Sequence, residues 1–294
     1  MSHPSSRRFA NVLGRRRACV LALAGSAALT FLAGSALAGD LSDVKTRGKL
    51  VVLTFPLIED SFMAVDVEAM RSLGVGLKDM HDPAHFRGID LDLMKGFADK
   101  LGVTLEIRPE LEGYGGLIPA LDRHDGDVVA SSFAITPARL VTADFSTPYI
   151  LQWDVAAVRP DSKIKSIGDL KGKKVAVIDG SSHLERLKAL NLSPVIVPTK
   201  FVLEGVNAVA EKEADYTLME SRAAVGQPVS AQYSALKVGV RVNETGYGVA
   251  VRKGSDLKPA LDAYLDGLRK SGELERILTK HGQGSDTKTK PAGK

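Results

Sequence analysis

Twice in this chain a short apolar run ends in a pair of hydroxyls and passes straight into a helix start. The two stretches are DVVASSFAITPARL at 127–140 and KKVAVIDGSSHLERL at 173–187. A strand that feeds a helix in this way favours parallel strands covered by helices. In the first stretch Thr136 reads as an N-cap and Pro137 as the first helical residue, where proline loses no useful N–H. Arg139 then falls in the first turn, where the helix dipole is positive, which is unfavourable by roughly 0.3–1 kcal/mol. Two readings follow. Either Arg139 points into solvent, or a guanidinium, hydroxyls and free helix N–H groups converge on an anion.

The same alternation runs through most of the sequence. Strands are expected at Leu50–Thr54, Val103–Ile107 and Asp127–Ser131, with helices over Gly88–Leu101 and Leu117–Leu121. A second series has strands at Val155–Val158, Lys174–Ile178, Pro194–Val197 and Asp215–Met219, and helices over Ser182–Leu190 and Leu203–Glu211. Gly246–Val251 reads as a further strand, followed by two amphipathic helices on Leu257–Leu268 and Leu274–Leu278. Glu59–Phe86 resists assignment and reads equally as an insertion over the mouth of a site or as edge packing.

At 294 residues the chain can build one large domain or two lobes with real cores. Residues 1–38 carry five arginines, an apolar run over Ala18–Gly34 and small residues at Ala36-Leu37-Ala38, the layout of a secretory signal peptide. Without them 34 basic residues face 35 acidic ones, so a nucleic-acid partner loses its support. The one cysteine, Cys19, lies in the same segment, so no disulfide or thiolate is expected in the remainder. The polar tail, 285–294, is expected to be disordered.

Several chemical motifs fail on context. His81 and His85 have metal-ligand spacing, but Pro83 breaks the helix between them and no further ligand is local. Gly74-Val75-Gly76 follows no strand and lacks a third glycine. Gly180-Ser181-Ser182-His183 is not a nucleophile elbow; it reads as an N-cap or as an anion cradle of hydroxyls and N–H groups. With Arg139 on one strand–helix turn and Glu220 beyond the strand Asp215–Met219 in the other half, a zwitterion fits the donor set. No cofactor or metal is called for.

Five ordered stretches resemble the periplasmic solute-binding proteins of ABC importers, family 3, the polar amino-acid type. They are GIDLDL (88–93), LIPAL (117–121), the run from Asp127 through Arg139 to DFSTPY (144–149), DLKGKKVAV (169–177) and GYGVAVRK (246–253). The resemblance implies an α/β, two-lobed periplasmic-binding-protein (type II) fold, with a mostly parallel sheet flanked by helices in each lobe and two hinge crossings. Lobe one is expected at 39–150 plus 246–284 and lobe two at 151–245. It further implies that Arg139 clamps a ligand carboxylate, that Ser131 and Ser132 reach the ligand, that Ser181 with Ser182 donates from lobe two, and that Glu220 receives the ammonium. Phe62 or Tyr114 would supply an aromatic wall. A small-molecule ligand, an inner-membrane ABC permease, a periplasmic location and a monomeric state are the expected setting.

Three positions depart from that pattern. Ala134 replaces a hydroxyl residue, Glu220 is one methylene longer than the usual aspartate, and the segment after Phe55 lacks a short Tyr/Phe-Pro-Phe loop. Binding rather than turnover is expected. Two other readings stay open. One is a cyclohexadienyl-dehydratase-like enzyme with Glu220 or His183 as general acid; the other is an accessory or sensor module of a periplasmic complex.

Overall fold

The computed structural model describes residues 40–56, 61–220 and 235–283. The expected export signal and the polar tail lie outside the described residues. In chain order the first elements are α1 (Asp40–Arg47), β1 (Lys49–Thr54), β2 (Ala64–Val65), α2 (Val67–Leu73) and β3 (Phe86–Arg87). There follow α3 (Ile89–Leu101), β4 (Thr104–Pro109), α4 (Tyr114–Asp122), β5 (Val128–Val129), α5 (Pro137–Thr142) and β6 (Ala143–Phe145). A second run comprises β7 (Ile150–Val158), β8 (Lys174–Ile178), α6 (Ser182–Ala189), β9 (Val195–Thr199), α7 (Val202–Ala210) and β10 (Tyr216–Glu220). The chain returns through β11 (Lys237–Tyr247) to β12 (Ala250–Arg252), α8 (Leu257–Ser271) and α9 (Glu273–Lys280).

Ten of these strands form two five-stranded sheets, ordered β4-β1-β5-β12-β6 and β11-β7-β10-β8-β9, and β2 pairs with β3 in a separate two-stranded ribbon. Each five-stranded sheet combines parallel and antiparallel pairing. β1 runs parallel to β4 and β5, and β8 to β9 and β10, as strand–helix–strand connections require. The strands that link the halves, β7, β11 and β12, pair antiparallel. Both faces of each sheet are covered. In the first, Leu50 and Val52 pack on one side with Ile89, Leu93 and Phe97 of α3, while Leu53 turns to the other side with Leu117, Leu121 and Phe133. In the second, Val175 and Val177 meet Leu184 and Leu187 of α6, whereas Ala176 meets Val206 and Val209 of α7. Alternation along each strand thus sets which helix it supports.

Both sheets belong to one compact unit, Ala38–Lys294. The β7–β11 ribbon joins them: Ile150 and Tyr247 are buried in the first core, while Ala156 and Val158 are buried in the second. The single strand expected at Gly246–Val251 is in fact two. Tyr247 ends β11 and Ala250 begins β12, because the intervening amides turn out of the ribbon. Gly248 N–H donates to the Phe133 carbonyl and Val249 N–H to Ser146 Oγ. The expected strand Asp127–Ser131 narrows to Val128–Val129. Asp127 instead uses its carboxylate to accept from Val51 N–H (2.8 Å) and to pair with Arg47.

Residues 61–86 pack along the outer edge of the first sheet. Ile107 N–H on the edge strand β4 donates to the His81 carbonyl, and Met63, Val65, Met80 and Phe86 enter the first core. Covering an edge strand removes a template for unwanted pairing. Gly88 makes the close approach possible: it sits at φ +132°, and a Cβ there would stand 2.2 Å from the Phe62 carbonyl oxygen. His81 stays exposed there, its Nδ1 3.0 Å from the Ile107 carbonyl, and His85 is half-buried. Among the described residues, no group of three or more His, Cys, Asp or Glu side chains is arranged to hold a metal ion.

Candidate functional site

The helix start at Thr136-Pro137 forms as the sequence expects, with Thr136 Oγ1 accepting from Arg139 N–H at 3.2 Å. Arg139 does not point into solvent: it is only 6% exposed. Its guanidinium lies 3.9 Å from the centre of the Phe133 ring, a cation–π stack. Nη1 donates to the Ala134 carbonyl (3.0 Å) and Nη2 to the Gly180 carbonyl (3.4 Å) of the second half. Nε stands 3.3 Å from Glu185 Oε1 on α6. The other oxygen of the same carboxylate accepts from Thr136 Oγ1 at 2.6 Å. Burial lowers the Arg139 pKa and the Glu185 charge opposes that shift; an arginine so placed stays a cation.

The two halves also touch through backbone. Gly180 has φ +67°, and a Cβ there would come within 3.0 Å of Gly115 N and 3.2 Å of its Cα, at the start of α4. Glycine is required on both counts, the left-handed backbone and the absence of room.

A second polar cluster gathers around Glu220. Its Oε1 accepts from the Tyr247 hydroxyl at 2.7 Å and lies 3.9 Å from His183 Nε2. His183 Nε2 is 3.2 Å from Asp154 Oδ1, and Arg186 Nε is 2.5 Å from Asp154 Oδ2. Arg186 also donates to Ser182 Oγ (2.9 Å) and to Thr245 Oγ1. Asp154 is fully buried on β7. Burial together with the Glu220 and Asp154 charges holds the Tyr247 hydroxyl well above its ordinary pKa, so it stays a donor.

The serines fall into different settings. Ser131 is buried, and its hydroxyl exchanges hydrogen bonds with the Phe55 backbone, accepting from N–H at 3.0 Å and donating to the carbonyl at 3.2 Å. Ser132 is half-buried at φ +44°, with its N–H donating to Asp90 Oδ2 at 2.6 Å and its Oγ 3.5 Å from the Tyr114 hydroxyl. Asp90 is fully buried and its other oxygen accepts from the Tyr149 hydroxyl at 2.5 Å. Burial raises its pKa to about 6, against the lowering effect of those two donors. Ser181 caps α6, its Oγ accepting from Leu184 N–H. Tyr114 meets Phe55 edge-to-face at 5.1 Å, and Phe62, itself buried, meets Tyr247 in the same way at 5.4 Å.

Of the residues singled out from the sequence, Arg139, Ser181, Ser182 and Glu220 thus gather around the first turn of α6, and Ser132 with Tyr114 forms a neighbouring group on the first half. Ser131 supports Phe55, and Phe62 reaches the cluster only through Tyr247. Asp90, Asp154, Glu185 and Arg186 were not singled out. Asp90 stands inside the GIDLDL stretch and could have been noticed there, since a carboxylate between the apolar Ile89 and Leu91 at a helix start demands partners once buried. Asp154 and Glu185 carry no local signal, because their partners come from other elements, and Arg186 shows locally only its i, i+4 bond to Ser182.

The His183 geometry has a measurable consequence. Burial alone would push its pKa down, but Asp154 and Glu220 outweigh it and raise the value above the ordinary 6.5. Folding therefore favours the imidazolium. Its stabilising contribution is complete below about pH 6.5 and is lost as the pH rises through the folded pKa. Thermal unfolding from about pH 6 to about pH 9 should show the wild-type midpoint falling relative to that of His183→Gln. Parallel profiles would remove the imidazolium from the cluster.

Comparison with known proteins gives consistent relatives. The amino-acid-binding protein AabA of Dichelobacter nodosus is 28% identical over 199 residues, covering 66% of this chain and 78% of the relative. The membrane-bound lytic murein transglycosylase F of Desulfosudis oleivorans is 29% identical over 211 residues; this chain spans 45% of its length. Among solved structures, the ancestral amino acid-binding protein AncCDT-1, a precursor of cyclohexadienyl dehydratase, matches with a TM-score of 0.67 and 30% identity. That match covers 83% of this chain and 99% of the other. The fold is the two-lobed α/β fold of the periplasmic amino-acid-binding proteins. No helix among the described residues is long and apolar enough to cross a membrane. With residues 77–284 matching the family model and these relatives beside it, the chain belongs to the bacterial extracellular solute-binding proteins, family 3.

Proposed function

We propose that this protein captures an amino acid or similar small carboxylated amine in the cleft between its lobes and delivers it to an ABC-type importer. Residues 1–38 would direct export to the periplasm, with lobe one at 39–150 plus 246–284 and lobe two at 151–245. The observation that carries the reading is that a buried guanidinium, Arg139, reaches the Gly180 carbonyl and a carboxylate, Glu220, lies 3.9 Å from His183, both at the hydroxyl-bearing start of α6. In this reading Arg139 and the α6 turn take the ligand carboxylate and Glu220 takes its cation. Ser132 and Tyr114 border the ligand from lobe one, while Ser131 and Phe62 support that wall. Binding energy from both lobes would favour the closed form, which a monomeric protein presents to the permease.

Calorimetric titration of refolded, ligand-free protein with a pool of amino acids and small organic acids tests this directly. Micromolar or tighter binding confined to zwitterions is the expected outcome. Silence across the pool would remove the transport reading. A second reading has one specific observation in its favour. The pair Asp154–His183 with Glu220 beside it is an acid–base arrangement of the kind an elimination needs, and the solved relative is described as a precursor of cyclohexadienyl dehydratase. Turnover of prephenate or arogenate would establish it, and inert substrates would leave the binding role alone.

A further inference from the structure

Asp90 is fully buried at the start of α3, away from the polar groups gathered at α6. An acidic side chain in the first turn of a helix ordinarily turns back to that helix's own N–H groups. The Asp90 oxygens go to two other segments instead. Oδ2 accepts from Ser132 N–H at 2.6 Å and Oδ1 from the Tyr149 hydroxyl at 2.5 Å.

Both donors stand where position matters. Ser132 holds φ +44°, a left-handed backbone that is costly for any residue but glycine. The turn it makes sets Phe133 against the Arg139 guanidinium and brings the Ala134 carbonyl to Arg139 Nη1. Tyr149 N–H donates to the Tyr247 carbonyl, immediately before β7 leaves for the second sheet. One carboxylate thus bonds both the loop that seats Arg139 and the entry to the ribbon that joins the sheets.

Holding this carboxylate costs the fold stability. Burial raises its pKa to about 6 against the two donors, so folding disfavours the anion. The penalty is absent below the ordinary carboxylate value and complete above about pH 6. The groups that face Asp90 are the Tyr149 hydroxyl from the entry of β7 and Ser132 N–H from the loop. Tyr114 of α4 lies beyond Ser132, its hydroxyl 3.5 Å from Ser132 Oγ, and Asp92 of the same helix turn is tied to Lys280 and His281 of α9. An asparagine has the same shape and would escape the penalty.

We propose that Asp90 is a positioning residue for ligand capture, tying the Ser131–Ser132 loop to the entry of the joining strand β7. The proposal rests on the binding role put forward above. A carboxylate accepts on both oxygens at once. An acid or an amide turns a donor toward one partner and holds the other by a weaker, uncharged bond. The loop then spends less time in the arrangement that seats Arg139, and apparent affinity falls by that fraction.

The test uses the full chain, wild type beside Asp90→Asn and Tyr149→Phe. Calorimetric titration with the amino-acid pool, thermal unfolding, and amide hydrogen exchange over 131–135 are compared at each pH from about 5 to about 8. At the upper end Asp90→Asn should unfold no earlier than wild type, yet bind about tenfold more weakly and exchange those amides faster. A merely structural residue would lose stability along with affinity. Wild-type affinity should fall toward that of Asp90→Asn as the pH drops through about 6, a fall that Asp90→Asn lacks. His183 titrates in both proteins and cancels in the difference. Tyr149→Phe removes one of the two donors that lower the Asp90 pKa, so its break should move to higher pH. An unmoved break overturns the proposal even where Asp90→Asn does not fold. Affinity and exchange in Asp90→Asn equal to wild type, or pH profiles parallel to it, overturn it as well. If the pool binds none of the three, the amino-acid reading fails and amide exchange decides: faster exchange in Asp90→Asn keeps the hold on the loop, and equal exchange removes it.

Discussion

Arg139→Ala is expected to abolish binding of carboxylated ligands without unfolding the protein. Truncating one partner of a buried, hydrogen-bonded charge pair costs roughly 2–5 kcal/mol in binding, a loss of about thirtyfold to several thousandfold. The stability penalty should be smaller. The Glu185 side chain is 29% exposed, so once the guanidinium is gone its carboxylate can turn toward water while keeping Thr136 within reach. Arg139→Lys separates charge from geometry. An ammonium is a point charge and cannot hold the Ala134 and Gly180 carbonyls and a carboxylate in one plane, as the guanidinium does. It should bind between alanine and wild type. Calorimetry beside thermal unfolding reads the two effects separately, and unchanged affinity in the alanine variant would remove Arg139 from the site.

The elements around that arginine were legible because local rules govern them. An apolar run, a hydroxyl cap, a proline at the first helical position and an i, i+4 stripe each have a physical cause within a few residues, and α3, α5, α6 and α8 follow from such causes. Long-range pairing was less legible. β11 lies opposite β7 with irregular register at Val238/Val240 and Arg241/Asn243, and its composition, KVGVRVNETGY, gives only a weak alternation before the turn at Gly248. The strand assigned at Gly246–Val251 therefore joined the end of one strand to the start of another. The site was half legible for the same reason. Arg139, Ser181 and Glu220 stand at strand ends and helix starts, where α/β folds gather their polar groups. Glu185 and Asp154 matter through partners far away in sequence, 46 to 49 residues for Glu185 and 29 to 32 for Asp154, and no spacing rule connects them.

Asp154 carries the other large expectation. It is fully buried, and two cations, Arg186 and His183, face it at 2.5 and 3.2 Å. Asp154→Ala leaves Arg186 without its counter-charge and His183 with only Glu220, at 3.9 Å, and removing one partner of a largely buried ion pair costs about 3–5 kcal/mol. The hydroxyls of Ser182 and Thr245 still accept from Arg186, but they carry no charge and cannot replace the carboxylate. His183 responds by losing its proton, since Asp154 is the largest influence raising its pKa against burial. The alanine variant should therefore also lose most of the fall in stability with rising pH expected of wild type. Removing both members of the pair is a different matter. In Asp154→Leu combined with Arg186→Met no charge is stranded, and apolar side chains can fill most of the space, so most of the lost stability should return. Urea unfolding of the single and double variants measures this. Equal destabilisation in both would mean that the ion pair holds the crossing strand β7 against α6 through its geometry, and that charge compensation is the lesser part of its role.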